Sequence, residues 1–204
     1  SRTEAGAASR KIVPLERARS NRLSPKKPSA PAPSYLGARS FDVVLKDLVP
    51  LIDWTPFFQT WELKGRYPEI FKDSRVGVEA KKLHDDALKM LGELVKGSRL
   101  KGAALAGFYR TRSRGDDVDL FDSASDKPVG ILHFLRQQSE RQEGQPHLSL
   151  ADFLHPEGDH VGLFAVTAGL GARELALEHE KKHDDYSSIM VKALADRLAE
   201  ALAE

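Results

Sequence analysis

A chain of 204 residues is long enough for one sizeable domain, or for a domain with a tail. Hydrophobic residues make up 41% and charged residues 30%, the balance of an ordinary globular protein, and no apolar run approaches the roughly 18 residues of a membrane span. The opening SRTEAGAASRKIV lacks the apolar core of a signal peptide, and the absence of cysteine rules out disulfides and thiolate metal sites and fits a reducing cytoplasm.

The net charge of +1 is unevenly spread. Residues 1–40 hold nine Lys/Arg against two Asp/Glu, a net of +7 that leaves −6 for the remainder. Such an arm could serve nucleic acid, but it has almost no aromatic side chains on which bases could stack, so a solvated linker is expected. Within it, Pro14 to Leu23 predicts a short helix, with proline tolerated at a helix start. Residues 24–34 carry four prolines in eleven positions, which forbids a helix interior and predicts an extended, semi-rigid spacer.

The folded body is expected from Phe41 onward. Asp42 to Trp61 is apolar and aromatic but broken by Pro50 and Pro56, which predicts short helical pieces. From Val76 to Val95, apolar residues recur at three- and four-residue steps (Val76, Ala80, Leu83, Ala87, Met90, Leu91, Leu94), the pattern of an amphipathic helix. Residues 102–110, 117–121, 129–135 and 160–167 are β-rich stretches, separated by turn signals such as Arg114-Gly115-Asp116-Asp117. Tyr186 to Ala203 repeats Ile189/Met190, Ala193/Leu194, Leu198 and Ala201/Leu202 along one helical face. Strands in the middle with long helices around them predict an α+β fold built on one antiparallel sheet.

Four constellations could carry chemistry. His179-Glu180-Lys181-Lys182-His183 matches H-E-x-x-H, in which two histidines one turn apart bind zinc and the glutamate acts as a base. Both central positions are lysine, however, and Glu178, Asp184 and Asp185 flank the string, so a solvated charge cluster is expected instead. Ala168-Gly169-Leu170-Gly171 follows a strand and precedes a helix, but Glu174 stands where a third phosphate-loop glycine would be. A tight strand-to-helix turn with positive φ is the simpler account. In Asp53-Trp54-Thr55-Pro56-Phe57-Phe58-Gln59-Thr60-Trp61-Glu62 a carboxylate sits among large aromatic groups. Chemistry alone leaves two accounts level: a plain core segment, or an anionic edge on an apolar pocket suited to an ammonium group and a flat ring. Asp196, Arg197 and Glu200 lie on the last helix, with Asp196 and Glu200 spaced i, i+4 so that both carboxylates leave one face; alone, that is an ordinary solvated face.

Taken together these segments resemble a known family. Asp53-Trp54-Thr55-Pro56-Phe57-Phe58 with Thr60-Trp61-Glu62-Leu63-Lys64-Gly65 is similar to the hallmark of the reactivation (S-adenosylmethionine-binding) domain of cobalamin-dependent methionine synthase. So are His133-Phe134-Leu135-Arg136-Gln137-Gln138, Leu150-Ala151-Asp152-Phe153, Phe164-Ala165-Val166-Thr167 and Asp184-Asp185-Tyr186. The longest match is Ile189 to Ala201. The strings occur in the family's order over roughly residues 41–204, and residues 14–23 look like the family's lead-in from the preceding cobalamin module.

The resemblance implies a C-shaped single α+β domain, with a central antiparallel sheet flanked by long helices. Residues 1–40 would be the linker from an upstream cobalamin module and residues 41–204 the reactivation domain. The implied function is to bind S-adenosylmethionine and support reductive methylation of cob(II)alamin to methylcobalamin, as part of a cytoplasmic methyltransferase. Implied partners are the cobalamin-binding domain, which holds the cobalamin, and flavodoxin or another reductase, with no part for nucleic acid or membrane. Asp53 matches the aspartate that holds the ligand's α-ammonium group, Glu200 the acidic residue near its sulfonium, and Asp196 a helix position facing the cobalamin module. No metal-binding or catalytic protein residue is implied. The family completes its site with an Arg-x-x-x-Gly-Tyr segment after the last helix, and the 204 residues contain none. The isolated chain is therefore expected to be C-terminally incomplete, to bind S-adenosylmethionine weakly and not to be catalytic alone. The alternative is a docking module for a cobalamin domain or reductase that does not itself hold S-adenosylmethionine.

Overall fold

The computed structural model describes residues 11–24, 31–97, 99–122 and 125–204. Most of the expected spacer and the stretch searched for a signal-peptide core lie outside these residues. The described elements are α1 (Leu15–Ser20), β1 (Gly37–Phe41), α2 (Leu45–Leu48), α3 (Trp54–Thr60), α4 (Gly77–Lys96), β2 (Lys101–Arg114), β3 (Asp117–Phe121), β4 (Pro128–His133), β5 (Asp159–Leu170), α5 (Ala172–Glu180) and α6 (Asp185–Ala203), with three short 3₁₀ turns. The fold is α+β, as expected. Its antiparallel sheet has five strands in the order β1-β2-β3-β4, with β5 pairing to β2. The strand β1 was not foreseen: Gly-Ala-Arg-Ser-Phe is short and mostly exposed, with no apolar alternation to mark it.

The chain divides into two compact units, residues 1–39 with 107–163 and residues 40–106 with 164–204. The second unit holds the main hydrophobic core, which draws on α2, α3, α4, α5 and α6. Helix α4 buries Ala80, Leu83, Ala87, Leu91 and Leu94, the stripe its periodicity predicts. Helix α6 buries Met190, Val191, Leu194 and Leu198 and packs against α3, α4 and α5. Each large side chain so removed from water contributes about 1.5–3 kcal/mol before entropy is counted. The turn into α5 needs glycine: Gly171 has φ +96°, and a Cβ there would lie 2.2 Å from the Arg99 carbonyl oxygen.

In the first unit, β2 and β3 pair from Arg110↔Phe121 to Arg114↔Asp117, and β3 pairs in turn with β4. The hairpin turn falls at the predicted signal, with Gly115 at φ +71° and Asp116 beside it. Residues 11–21 are packed into this unit and do not hang off it as a tether. Ile12 bridges to Ser139, and the Val13 N–H donates to the Gln138 carbonyl at 2.8 Å. The Asn21 side chain donates to the Gln145 carbonyl at 2.9 Å, and Ala18 is wholly buried.

Candidate functional site

Asp53 is the N-cap of α3. Its Oδ1 accepts the Thr55 backbone N–H at 2.9 Å, satisfying one of the free amides at the helix start. Pro56 follows within the first turn, where a missing N–H costs nothing. The rest of the string folds inward. Phe57 and Phe58 are fully buried and Trp54 nearly so, with Trp54 and Phe57 edge to face at 5.3 Å. The open choice at this segment is thereby divided. Trp54, Phe57 and Phe58 are core, whereas Asp53 is exposed at the edge of that core with Oδ2 free of protein partners among the described residues.

Asp196 and Glu200 are both exposed on α6, on a stripe that also holds Lys192. Glu200 forms an ion pair with Arg197, three residues earlier. Asp53 and these two carboxylates come from elements that meet, since α3 and the 3₁₀ turn Val49–Leu51 on either side of Asp53 both pack against α6. All three are surface groups.

Two of the larger hollows open in the same unit, and neither is lined by those carboxylates. One, of 960 Å³, lies among β1, β2 and β5, with Phe41, Val44, Leu105 and Val166 in its wall. The other, of 530 Å³, is lined by Trp61, Leu63, Glu79, Lys82, Leu83, Asp86 and Tyr186.

The H-E-x-x-H string is split by the structure. Helix α5 ends at Glu180, and His183 takes the left-handed conformation at φ +58°, so the two histidines do not share a continuous helical turn. Glu180 accepts hydrogen bonds from Ser188 and from the Lys192 ammonium, both at 2.8 Å, which hold its carboxyl below the usual range. His179 leans toward Asp184 at 3.3 Å. Asp184 caps α6 by accepting the Ser187 N–H at 3.0 Å, and this bond draws its carboxyl down. Among the described residues no three His, Asp or Glu side chains are grouped as metal ligands.

In the first unit, two of the family-like strings meet in a way the sequence did not announce. Arg136, from His133-Phe134-Leu135-Arg136, has a fully buried side chain that grips Asp152, from Leu150-Ala151-Asp152-Phe153, through two bonds of 2.7 and 2.6 Å. It also donates to Asp116 at 2.7 Å and to the His147 carbonyl at 2.6 Å. Arg19 of α1 closes the set on Asp116 at 2.8 Å. Burial opposes ionisation of Asp116, but the Arg19 and Arg136 guanidiniums outweigh it and hold the carboxyl low. The available clue was a lone charge inside each of two apolar strings, the signature of a buried pair.

Comparison with known proteins follows the same lines. The family model described as "Vitamin B12 dependent methionine synthase, activation domain" matches residues 44–204. A solved structure, "Crystal Structure of the MetH Reactivation Domain bound to AdoHcy", is 42% identical and superposes with a TM-score of 0.88. The similarity covers 94% of this chain and 61% of that one, so the present chain spans about three-fifths of its relative's length.

Proposed function

The chain belongs to the family of the vitamin B12-dependent methionine synthase activation domain, and from that premise we propose that it is the part of such an enzyme that binds S-adenosylmethionine and presents it to a cobalamin held by a separate module. The observation that carries this is the 42% identity and 0.88 TM-score to a reactivation domain whose structure contains S-adenosylhomocysteine, the demethylated form of that ligand. The whole enzyme would be a cytoplasmic methyltransferase making methionine, restored by flavodoxin or another reductase when its cofactor is oxidised. No described helix is long and apolar enough to cross a membrane.

The residues suit the ligand. Asp53 keeps one carboxylate oxygen on the α3 amide, which fixes its orientation, and turns the other outward for an α-ammonium group. Glu200 offers negative charge to a sulfonium, and Arg197 beside it would yield or share that carboxylate when the cation arrives. Asp196, four residues earlier on the same face, is available to the cobalamin module. When bound, S-adenosylmethionine supplies the methyl group and the corrinoid supplies the metal that accepts it. The protein's part is to hold and orient, which asks for no base or nucleophile on this chain.

The test is calorimetry with S-adenosylhomocysteine, on the chain alone and with the family's Arg-x-x-x-Gly-Tyr segment joined after Glu204. With the segment, Asp53→Asn is expected to weaken binding by about tenfold or more, from loss of one charge-assisted contact. Glu200→Gln should weaken S-adenosylmethionine more than S-adenosylhomocysteine, because only the former carries the sulfonium charge. Asp196→Asn should leave both affinities unchanged and slow reactivation of the full enzyme. No gain on adding the segment would favour the docking alternative.

A further inference from the structure

The 530 Å³ hollow of the second unit has a composition that the function above leaves unused. Its walls are Trp61 at the C-cap of α3 and Tyr186 in the first turn of α6, with ring centroids 4.9 Å apart and planes inclined at 53°. Its third side is one face of α4, where Glu79 is followed three and four residues on by Lys82 and Leu83, and Lys82 four residues on by Asp86. Leu63 and Leu83, both buried, provide an apolar floor.

Asp86 is the distinctive group. It is half-buried and accepts the Tyr186 hydroxyl at 3.0 Å, yet no cation is paired with it among the described residues. Lys82 stands one turn before it on the same helix and forms no ion pair with it either. The Tyr186 phenol is pushed up to about 12, chiefly by burial and then by Asp86, so it stays a neutral donor to that carboxylate. The Trp61 indole N–H is closed off from solvent and has no acceptor among the described residues. A half-buried carboxylate with one oxygen fixed and no ion pair among the described residues, next to two aromatic rings over an apolar floor, is matched by a cation on an apolar stem.

We propose that this hollow is a binding site for an alkylammonium group, carried by a small organic amine or by a lysine side chain. The ammonium lies against Asp86 and the faces of Trp61 and Tyr186, and its stem covers Leu63 and Leu83. The site stands apart from Glu200. Tyr186 and Glu200 are 14 residues apart on α6, about 21 Å along the helix axis.

The chain has two tryptophans, so its indole N–H resonances give two signals to follow. In titrations with pentylammonium and with the tripeptide Ala-Lys-Ala blocked at both ends, the Trp61 signal should move while that of buried Trp54 stays. Tighter binding of the peptide would assign the site to a lysine side chain, and tighter binding of the free amine to a small molecule. Pentanol and the Nζ-acetylated peptide should have no effect. Asp86→Asn should weaken binding by about tenfold, and exposed Lys82→Gln should tighten it by removing a competing positive charge. Equal response to pentanol, no movement of Trp61 up to about 50 mM amine, or weaker binding by Lys82→Gln would each overturn the proposal.

Discussion

Arg136 and Asp152 share a site where neither side chain is more than 3% exposed, so each is the other's replacement for water. Arg136→Ala is expected to destabilise the protein by about 3–5 kcal/mol in urea titration, because it strands Asp152 and half of the charge on Asp116. The double variant Arg136→Met with Asp152→Leu should recover most of that loss. His84 poses the opposite case. Its ring stands within 4.5–6.3 Å of Trp54, Phe58, Tyr67 and Phe71 by centroid distance, and burial pulls its pKa below the ordinary 6.5. Folding thus favours the neutral imidazole. The stability this confers is complete above pH 6.5 and declines as the pH falls from there through the depressed native value. Thermal midpoints measured from pH 8 down to pH 5 should fall below about 6.5, and His84→Phe should flatten that part of the curve. Asp53, Asp196 and Glu200 were legible in the sequence as positions in a pattern. Their surroundings were not: a string of letters cannot say that Arg197 already holds Glu200, or that Asp53 spends one oxygen capping its own helix.

Helices α4 and α6 were readable almost to the residue, because each buries one continuous stripe and its apolar spacing records that fact directly. Short elements left weaker traces. Strand β1 was hidden inside a stretch read as linker, since five mostly exposed residues leave no alternation to detect. The Ala168-Gly169-Leu170-Gly171 segment shows how a motif's glycines divide their work. Only Gly171 needs its missing side chain, for both its φ of +96° and the Arg99 carbonyl behind it. Around Gly169 a Cβ would meet neighbours at 3.7 Å, an ordinary contact. Gly171→Ala should therefore cost about 1–3 kcal/mol by urea titration, whereas Gly169→Ala should be close to neutral. A phosphate-binding loop would be hurt by both.

At the scale of the molecule, neither compact unit is a continuous stretch of chain, and no periodicity in the sequence could show that, because contacts between distant segments leave no local imprint. Deleting residues 1–24 tests the point. The exchange of backbone hydrogens should quicken over residues 134–152, which lose Lys11, Val13 and Asn21 as hydrogen-bond partners, while α4 and α6 keep their protection. Arg19 and Asp116 lie 97 residues apart, so α1 leaves the ribosome roughly 5–20 s before its partner at ordinary elongation rates. A six-residue helix cannot hold itself together in water for that interval. Its basic, partly apolar segment must stay unpaired while the hairpin that will receive it is still being made. During synthesis residues 15–20 are thus made well before their partner and settle only after it.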